Sequence, residues 1–309
     1  MGNSDLAVSP ICFGTLTMGP LQRNLTPLEG AKLLSYGYSR GINFIDTAEI
    51  YDNYAHIKKS IELARFRPII STKSYCYDKK SAQLSVQKAL DKMGIDYLDI
   101  FLLHEQTSFY SIKGHYEAVE TLLNLKEKGL IKKVGVSTHY IQCVQDVNSY
   151  PELDILHPIF NIHGLGIVDG KAQEMEKAID SAYQMGKGIY AMKALGGGHL
   201  INKSKEALQY VFNKKQIASV AIGMQSTDEI DFNIQLANGI YDSKLARKLL
   251  NRNRQLLIHD WCQCCGKCVN TCPQKALVIE EEKLKVLDHK CVFCGYCSRS
   301  CPDFCIKVI

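Results

Sequence analysis

The chain has 309 residues, is 46% hydrophobic and carries a net charge of +5, proportions of an ordinary globular protein with room for one large domain and one small one. Its basic residues are scattered, and pairs such as Lys58-Lys59, Lys79-Lys80 and Lys132-Lys133 read as solvated faces, which argues against a nucleic-acid partner. No apolar run is long enough to span a membrane, and the start Met1-Gly2-Asn3-Ser4-Asp5 lacks the basic and apolar regions of a leader, so a cytoplasmic protein with no membrane partner is expected.

From about residue 8 to about 240, short β-rich runs alternate with helical periods. The predicted strands are Ile11–Thr15, Asn43–Asp46, Ile69–Thr72, Leu98–His104, Lys133–Ser137, Ile155–Asn161, Gly188–Met192 and Ser219–Ile222. Most are brief and apolar without polar alternation, as expected of parallel strands buried on both faces. Lys80–Met93 reads as a helix, as does Tyr116–Lys128, where Val119, Leu122, Leu123 and Leu125 form a stripe before Gly129 stops it. Eight strands alternating with helices over about 230 residues predict an α/β fold, a (β/α)8 barrel, over 1–241. A doubly wound sheet is the alternative, but its usual glycine-rich first turn is missing from Phe13-Gly14-Thr15-Leu16. Residues 242–259 read as a basic, leucine-rich connecting helix, and 260–309 as a small cysteine-rich α+β domain. No low-complexity linker separates them, which predicts rigid docking.

In such a barrel the reactive groups stand at the C-terminal strand ends. Asp46 ends strand two, Tyr51 follows in the next loop, Lys73 ends strand three and His104 ends strand four. Each alone has a bland reading: a turn residue, a rim ring, a solvated lysine. Together they make a working acid. Reducing a carbonyl needs a hydride at carbon and a proton at oxygen, and a free tyrosine, with a pKa near 10, is a poor relay at neutral pH. A neighbouring ammonium, Lys73 held charged by Asp46, would lower that pKa, and a shift of two to three units takes roughly 3–4 kcal/mol. His104 would orient the substrate oxygen. The stretch Glu105–Tyr116, with Phe109, Tyr110 and Tyr116, is a candidate clamp for an apolar or aromatic carbonyl compound. His139, His163 and His199 lie near strand-end loops and are candidates to line the mouth, whereas His56, His115, His259 and His289 read as surface residues.

Ten of the 13 cysteines fall in the last 48 residues. Cys262, Cys265, Cys268 and Cys272 precede Pro273; Cys291, Cys294, Cys297 and Cys301 repeat the same spacing before Pro302. This is the pattern for two cubane [4Fe–4S] clusters, in which three thiolates of one run hold one cube and the fourth holds its partner. Cys262, Cys265, Cys268 and Cys301 are thus assigned to one cluster, and Cys291, Cys294, Cys297 and Cys272 to the other. Structural zinc does not require a repeated triplet plus Cys-Pro, and a disulfide framework suits a secreted domain. Cys264 and Cys305 are off the pattern and read as bystander thiols. Oxygen-sensitive clusters also point to a reducing, anaerobic setting.

The motifs Ile45-Asp46-Thr47-Ala48 with Tyr51, Ser71-Thr72-Lys73, Leu102-Leu103-His104, Val134-Gly135-Val136-Ser137 and Gly196-Gly197-Gly198 resemble the aldo-keto reductase family. Nearly the whole chain resembles its branch with a C-terminal ferredoxin-like domain. The resemblance implies a catalytic tetrad of Asp46, Tyr51, Lys73 and His104, and a nicotinamide cofactor, NAD(H) or NADP(H), across the barrel mouth. It places that cofactor against Gly14 and Thr15, against Ser137 and Thr138 where the family usually has Ser-Asn, and against His157 where it usually has Gln. Lys193, Gln225, Ser226, Glu229 and Asn233 complete the implied contacts. Because the strand-eight loop Gly223–Glu229 carries no positive charge, NADH is expected to bind more readily than NADPH.

Hydride chemistry moves two electrons and each cluster moves one. Three readings follow. The chain is a nicotinamide-dependent carbonyl or alcohol oxidoreductase with appended clusters. Or it is a reductase fed by an external ferredoxin or other electron-transfer protein, with a flavin or no organic cofactor. Or it is an electron carrier whose barrel is only a platform. The intact tetrad argues against the third.

Overall fold

The computed structural model describes residues 1–250, 255–272, 274–291 and 296–308. Eight strands, β1 (Ile11–Gly14), β2 (Phe44–Asp46), β3 (Ile69–Ser74), β4 (Leu98–Leu103), β5 (Ile131–Thr138), β6 (Ile155–Pro158), β7 (Gly188–Met192) and β8 (Ser219–Gly223), pair in parallel and close on β1. The eight strand runs read from the sequence are these eight, within a few residues at either end. Around them run the helices α1 (Pro27–Ser39), α2 (Tyr54–Ala64), α3 (Lys79–Met93), α4 (Phe109–Gly114), α5 (Tyr116–Glu127), α6 (Ile141–Asp146), α7 (Ala172–Gln184), α8 (Ser204–Phe212), α9 (Thr227–Ala237) and α10 (Ser243–Leu250).

Local chemistry sets these boundaries. Thr26 and Glu29 form a reciprocal capping box ahead of Pro27 at the start of α1. Asp78 caps α3, and Gly94 ends it in the left-handed conformation. The strands carry apolar side chains on both faces. Outward-facing Phe13, Ile45, Ile70, Phe101 and Leu103 pack under the helices, and inward-facing Cys12, Phe44, Ile100, Leu102, Ile155 and Tyr190 fill the barrel.

The connecting segment differs from expectation. Helix α10 ends at Leu250, and Leu256–Ile258 is not helical: it forms β9, antiparallel to β12 (Ile306–Val308). A run of three apolar residues facing an extended partner gains more from the pairing than from another helical turn. The small domain therefore begins at β9 and not at residue 260. It adds α11 (Lys267–Thr271), the hairpin of β10 (Leu277–Glu280) and β11 (Lys283–Val286), and α12 (Tyr296–Arg299). No helix among the described residues is long and apolar enough to cross a membrane.

Candidate active site and cluster centres

The side-chain period of two along each strand builds the barrel site. Phe44 and Asp46, Ser71 and Lys73, Leu102 and His104, Ile155 and His157 are successive inward positions. Register aligns Asp46 with Ser71, Lys73 with Leu102, and Ser137 with His157. The apolar interior thus ends in a polar layer at the C-terminal face.

Asp46 and Lys73 are both buried. The Lys73 Nζ donates to both Asp46 carboxylate oxygens at 2.8 and 2.7 Å and to the Thr47 carbonyl at 2.8 Å. All three ammonium protons are therefore taken, and Lys73 meets Tyr51 only through the ring, with Nζ 5.0 Å from its centroid. Burial, then the negative charges of Asp46 and Glu105, push the Tyr51 phenol well above the ordinary tyrosine range. This corrects the expectation that Lys73 lowers it: Asp46 neutralises the ammonium before its field reaches the phenol. Tyr51 sits in a single helical turn after β2. Gly19 lets that turn approach, because a Cβ there would lie 2.3 Å from the Tyr51 carbonyl oxygen.

His104 packs edge-on to Tyr51 at 6.3 Å and stacks on Tyr75 at 4.4 Å. Burial first, then the nearby Lys73, keep its imidazole neutral, with its pKa well below the usual histidine range. Its buried Nδ1 has no hydrogen-bond partner, an orphan polar atom beside Tyr51 that a ligand oxygen would satisfy. Tyr75, which sequence reasoning missed, is half-exposed and donates to Glu105 at 2.5 Å.

Tyr190 is the second missed residue. Its hydroxyl donates to Asp46 Oδ1 at 2.9 Å and shares a 2.7 Å hydrogen bond with Ser71, so a phenol from β7 and a hydroxyl from β3 extend the Asp46 network into the barrel. Only its inward position beside a buried acid signals this, and an apolar strand hides it. His157 donates from Nδ1 to the Tyr190 carbonyl at 2.7 Å, stacks on its ring at 3.9 Å, and turns Nε2 toward Asp46 Oδ1 at 3.6 Å.

The residues assigned to a nicotinamide divide in two. Those at the ring end are engaged by the protein. Ser137 accepts from the Glu105 N–H and Thr138 from the Tyr140 N–H; His157 is fully buried; Thr15 donates to the Asp46 carbonyl. Gly14 stands against Gly223 of the neighbouring strand, where a Cβ would lie 3.3 Å from backbone. All of these positions already meet protein groups, which the implied contacts did not include. The nucleotide end differs from expectation the other way. Ser226 caps α9, the Gln225 N–H donates to Glu229, and Asn233 is buried on α9. The fold brings Arg23 to Gln225 at 3.3 Å and Lys248 to Asp228 at 2.8 Å, so positive charge that the loop sequence lacks arrives from elsewhere in the chain. The β8 loop thus stands beside positive charge, unlike the bare loop from which a preference for NADH was expected. Lys193 lies at the mouth, 3.0 Å from His139 Nε2.

Of the aromatic clamp, Phe109 packs on Tyr150 and Tyr116 donates to Glu152; only Tyr110 is largely exposed. These rings build the α4–α6 layer and do not form a clamp. His56, read as a surface residue, is buried against the Leu25 carbonyl.

In the small domain, Cys262, Cys265, Cys268 and Cys301 line one cavity, together with Cys264 and Cys305. The four sulfurs assigned to the first cluster are thus brought together, and backbone N–H groups address two ligand sulfurs: Cys305 to Cys301 at 3.3 Å and Ala276 to Cys272 at 3.4 Å. Such bonds are of the kind that stabilise thiolate-bound clusters. Cys264 and Cys305 direct their thiols at the Glu282 and Asp303 carbonyls. Cys291, Cys297 and Cys272 are among the described residues; Cys294 lies outside them.

Two buried histidines, His104 and His157, and the partly buried His139 predict a pH effect. His104, His139 and His157 all have folded-state pKa values below the usual range, His157 pushed down to about 4 by burial. As pH falls below about 6.5 the unfolded chain takes up protons that the folded chain refuses, so stability falls. His157 alone contributes on the order of 3 kcal/mol by pH 4. Chemical denaturation between pH 7 and 4.5 should show a steeper loss for the wild-type protein than for His157→Gln; parallel curves would contradict this.

A family model described as the aldo/keto reductase family matches residues 10–208, and a 4Fe-4S dicluster domain matches residues 256–302. The uncharacterized oxidoreductase YqkF of Bacillus subtilis is 24% identical, covering 77% of this chain and 90% of its own. L-galactose dehydrogenase of Arabidopsis thaliana is 23% identical, covering 76% and 86%. Among solved structures, an aldo-keto reductase from Bacillus halodurans superposes with a TM-score of 0.65 at 20% identity, covering 81% of this chain and 94% of that one.

Proposed function

Since the chain belongs to the aldo/keto reductase family and carries a 4Fe-4S dicluster domain, we propose that this oxidoreductase interconverts a small carbonyl compound and its alcohol at Asp46, Tyr51, Lys73 and His104, with two [4Fe–4S] clusters carrying the electrons. The observation that carries this reading is the pairing of a neutral histidine holding an unpartnered Nδ1 with an adjacent phenol that hydrogen-bonds no other group among the described residues.

Converting a carbonyl to an alcohol takes two electrons and two protons. Two reduced clusters hold two electrons, one each. Tyr51 gives the proton that ends on oxygen, His104 steadies that oxygen by a hydrogen bond, and solvent supplies the proton that ends on carbon. Asp46, tied to Lys73 and Tyr190, fixes the layer beneath Tyr51. A phenol held above pH 10 stays protonated through the neutral range, which favours reduction; the reverse reaction needs the phenolate. Reduction should stay flat from pH 7 to 9, and alcohol oxidation should rise with pH over the same range. A reduction rate that falls with a midpoint near pH 8 would restore the lowered phenol and count against this reading. An external ferredoxin-type donor is the partner implied by the cluster domain.

A further inference from the structure

The cluster domain touches the barrel mouth through Phe304, which lies between Cys301 and β12. The Phe304 N–H donates to the Cys301 carbonyl at 3.4 Å, so the residue is tied directly to a cluster ligand. Its ring is seated on two barrel loops. A Cβ on Gly166, after β6, would lie 2.7 Å from Phe304 Cζ, and one on Gly197, after β7, 3.6 Å from Cδ1; the bare Gly166 is what admits the ring. A second contact is made by α12, where the Ser298 hydroxyl stands 3.1 Å from His199 Nδ1.

From Phe304 a contiguous line of side chains leads to the proposed reaction site. Lys193 has its Nζ 4.4 Å from the ring centroid and 3.0 Å from His139 Nε2. His139 Nδ1 stands 4.0 Å from Glu105, Glu105 accepts from Tyr75 at 2.5 Å, and Tyr75 stacks on His104 at 4.4 Å. Electron tunnelling weakens steeply with every gap between packed atoms, so such a line is a favourable medium between two redox partners. Charge points to the same end of the domain. Lys307 of β12 faces Cys301 and Cys305, with its Nζ 5.2 Å from the Phe304 centroid. A cation beside a thiolate-bound cluster favours the reduced form, because net charge around the cluster sets its potential.

We propose that the cluster assigned to Cys262, Cys265, Cys268 and Cys301 is the one that exchanges electrons with the barrel site, and that Phe304 couples it to that site. Phe304 is neither oxidised nor reduced. Two electrons cross it one at a time, and with the two protons described above they convert the carbonyl to the alcohol. The electron of the other cluster passes through the first: Cys297, assigned to that other cluster, is linked to Cys301 by one turn of α12, with the Ser300 N–H on the Cys297 carbonyl and the Cys301 N–H on the Ser298 carbonyl, each at 3.2 Å. This order of clusters rests on the carbonyl reading above.

The test uses the anaerobic holoprotein with its clusters chemically reduced, mixed with a carbonyl compound that the wild-type protein turns over and, separately, with ferricyanide, which takes electrons at the protein surface. Phe304→Leu should lose the fast phase of cluster reoxidation by the carbonyl while keeping its iron content and its reoxidation by ferricyanide. Phe304→Tyr, which retains the ring, should restore the fast phase. In a redox titration followed by electron paramagnetic resonance, Lys307→Met should lower the potential of one cluster, the one whose signal is missing from the Cys301→Ala, Cys305→Ala double variant. Carbonyl reoxidation of Phe304→Leu at the wild-type rate, or a fast phase lost in His199→Phe instead, overturns the coupling through Phe304. A Lys307→Met shift in the other cluster overturns the order of the clusters. Wild-type clusters that no carbonyl reoxidises overturn the carbonyl reading and this coupling with it, a result distinct from the failure of a variant alone.

Discussion

Tyr51→Phe should lower carbonyl reduction by roughly 100- to 10,000-fold, the range lost with a positioned general acid, and leave iron content and fold intact. The phenol hydroxyl makes no hydrogen bond among the described residues, so removing it orphans no neighbour. The ring stays to face His104 at 6.3 Å and Lys73 at 5.0 Å. Lys73→Met is a poorer probe. It strips Asp46 of both ammonium hydrogen bonds and leaves a buried carboxylate with only Tyr190, a change of about 3–5 kcal/mol in stability. Steady-state rates and thermal unfolding, measured together on both variants, separate the two effects. A Tyr51→Phe enzyme that keeps its rate and pH profile would remove the tyrosine from the reaction.

The second large effect is expected at Cys301. The wild-type protein should carry about eight irons. Cys301→Ala, paired with Cys305→Ala because that thiol lines the same cavity, should bring the count to about four. The surviving cluster should be the one assigned to Cys291, Cys294, Cys297 and Cys272. Iron and sulfide analysis of anaerobically prepared protein reads this directly. A variant that keeps all its iron would break the assignment of ligands across the two runs, and zinc in place of iron in the wild-type protein would end the cluster reading.

Much of the fold is legible because the strands are short apolar runs between turn residues, and eight of them leave few closed arrangements. The grouping of Asp46, Lys73 and His104 is legible for a related reason: polar residues that end buried strands must face the barrel mouth. Three things stayed hidden. Tyr190 looks like any aromatic in a core strand, and only the closed barrel brings it to Asp46. Arg23 is 202 positions from Gln225, so no local reading of the β8 loop finds its charge. Residues 256–258 continue a leucine-rich stretch and read as helix until β12, some 50 positions later, offers a strand to pair with. In each case the deciding contact is distant in sequence. The direction of the Tyr51 shift was lost for another reason: the ammonium expected to act on the phenol spends its three protons on Asp46 and Thr47.

In the proposed reaction, electrons pass between the cluster domain and a carbonyl at Tyr51. The most direct measurement is anaerobic stopped-flow absorbance of the holoprotein with its clusters chemically reduced, mixed with a panel of small carbonyl compounds, wild type beside Tyr51→Phe. A compound that is turned over should reoxidise the clusters, with one alcohol formed per two electrons, and Tyr51→Phe should slow this at least about a hundredfold. A compound reduced with added NADPH while the clusters stay reduced throughout, at the same rate in both proteins, would contradict it.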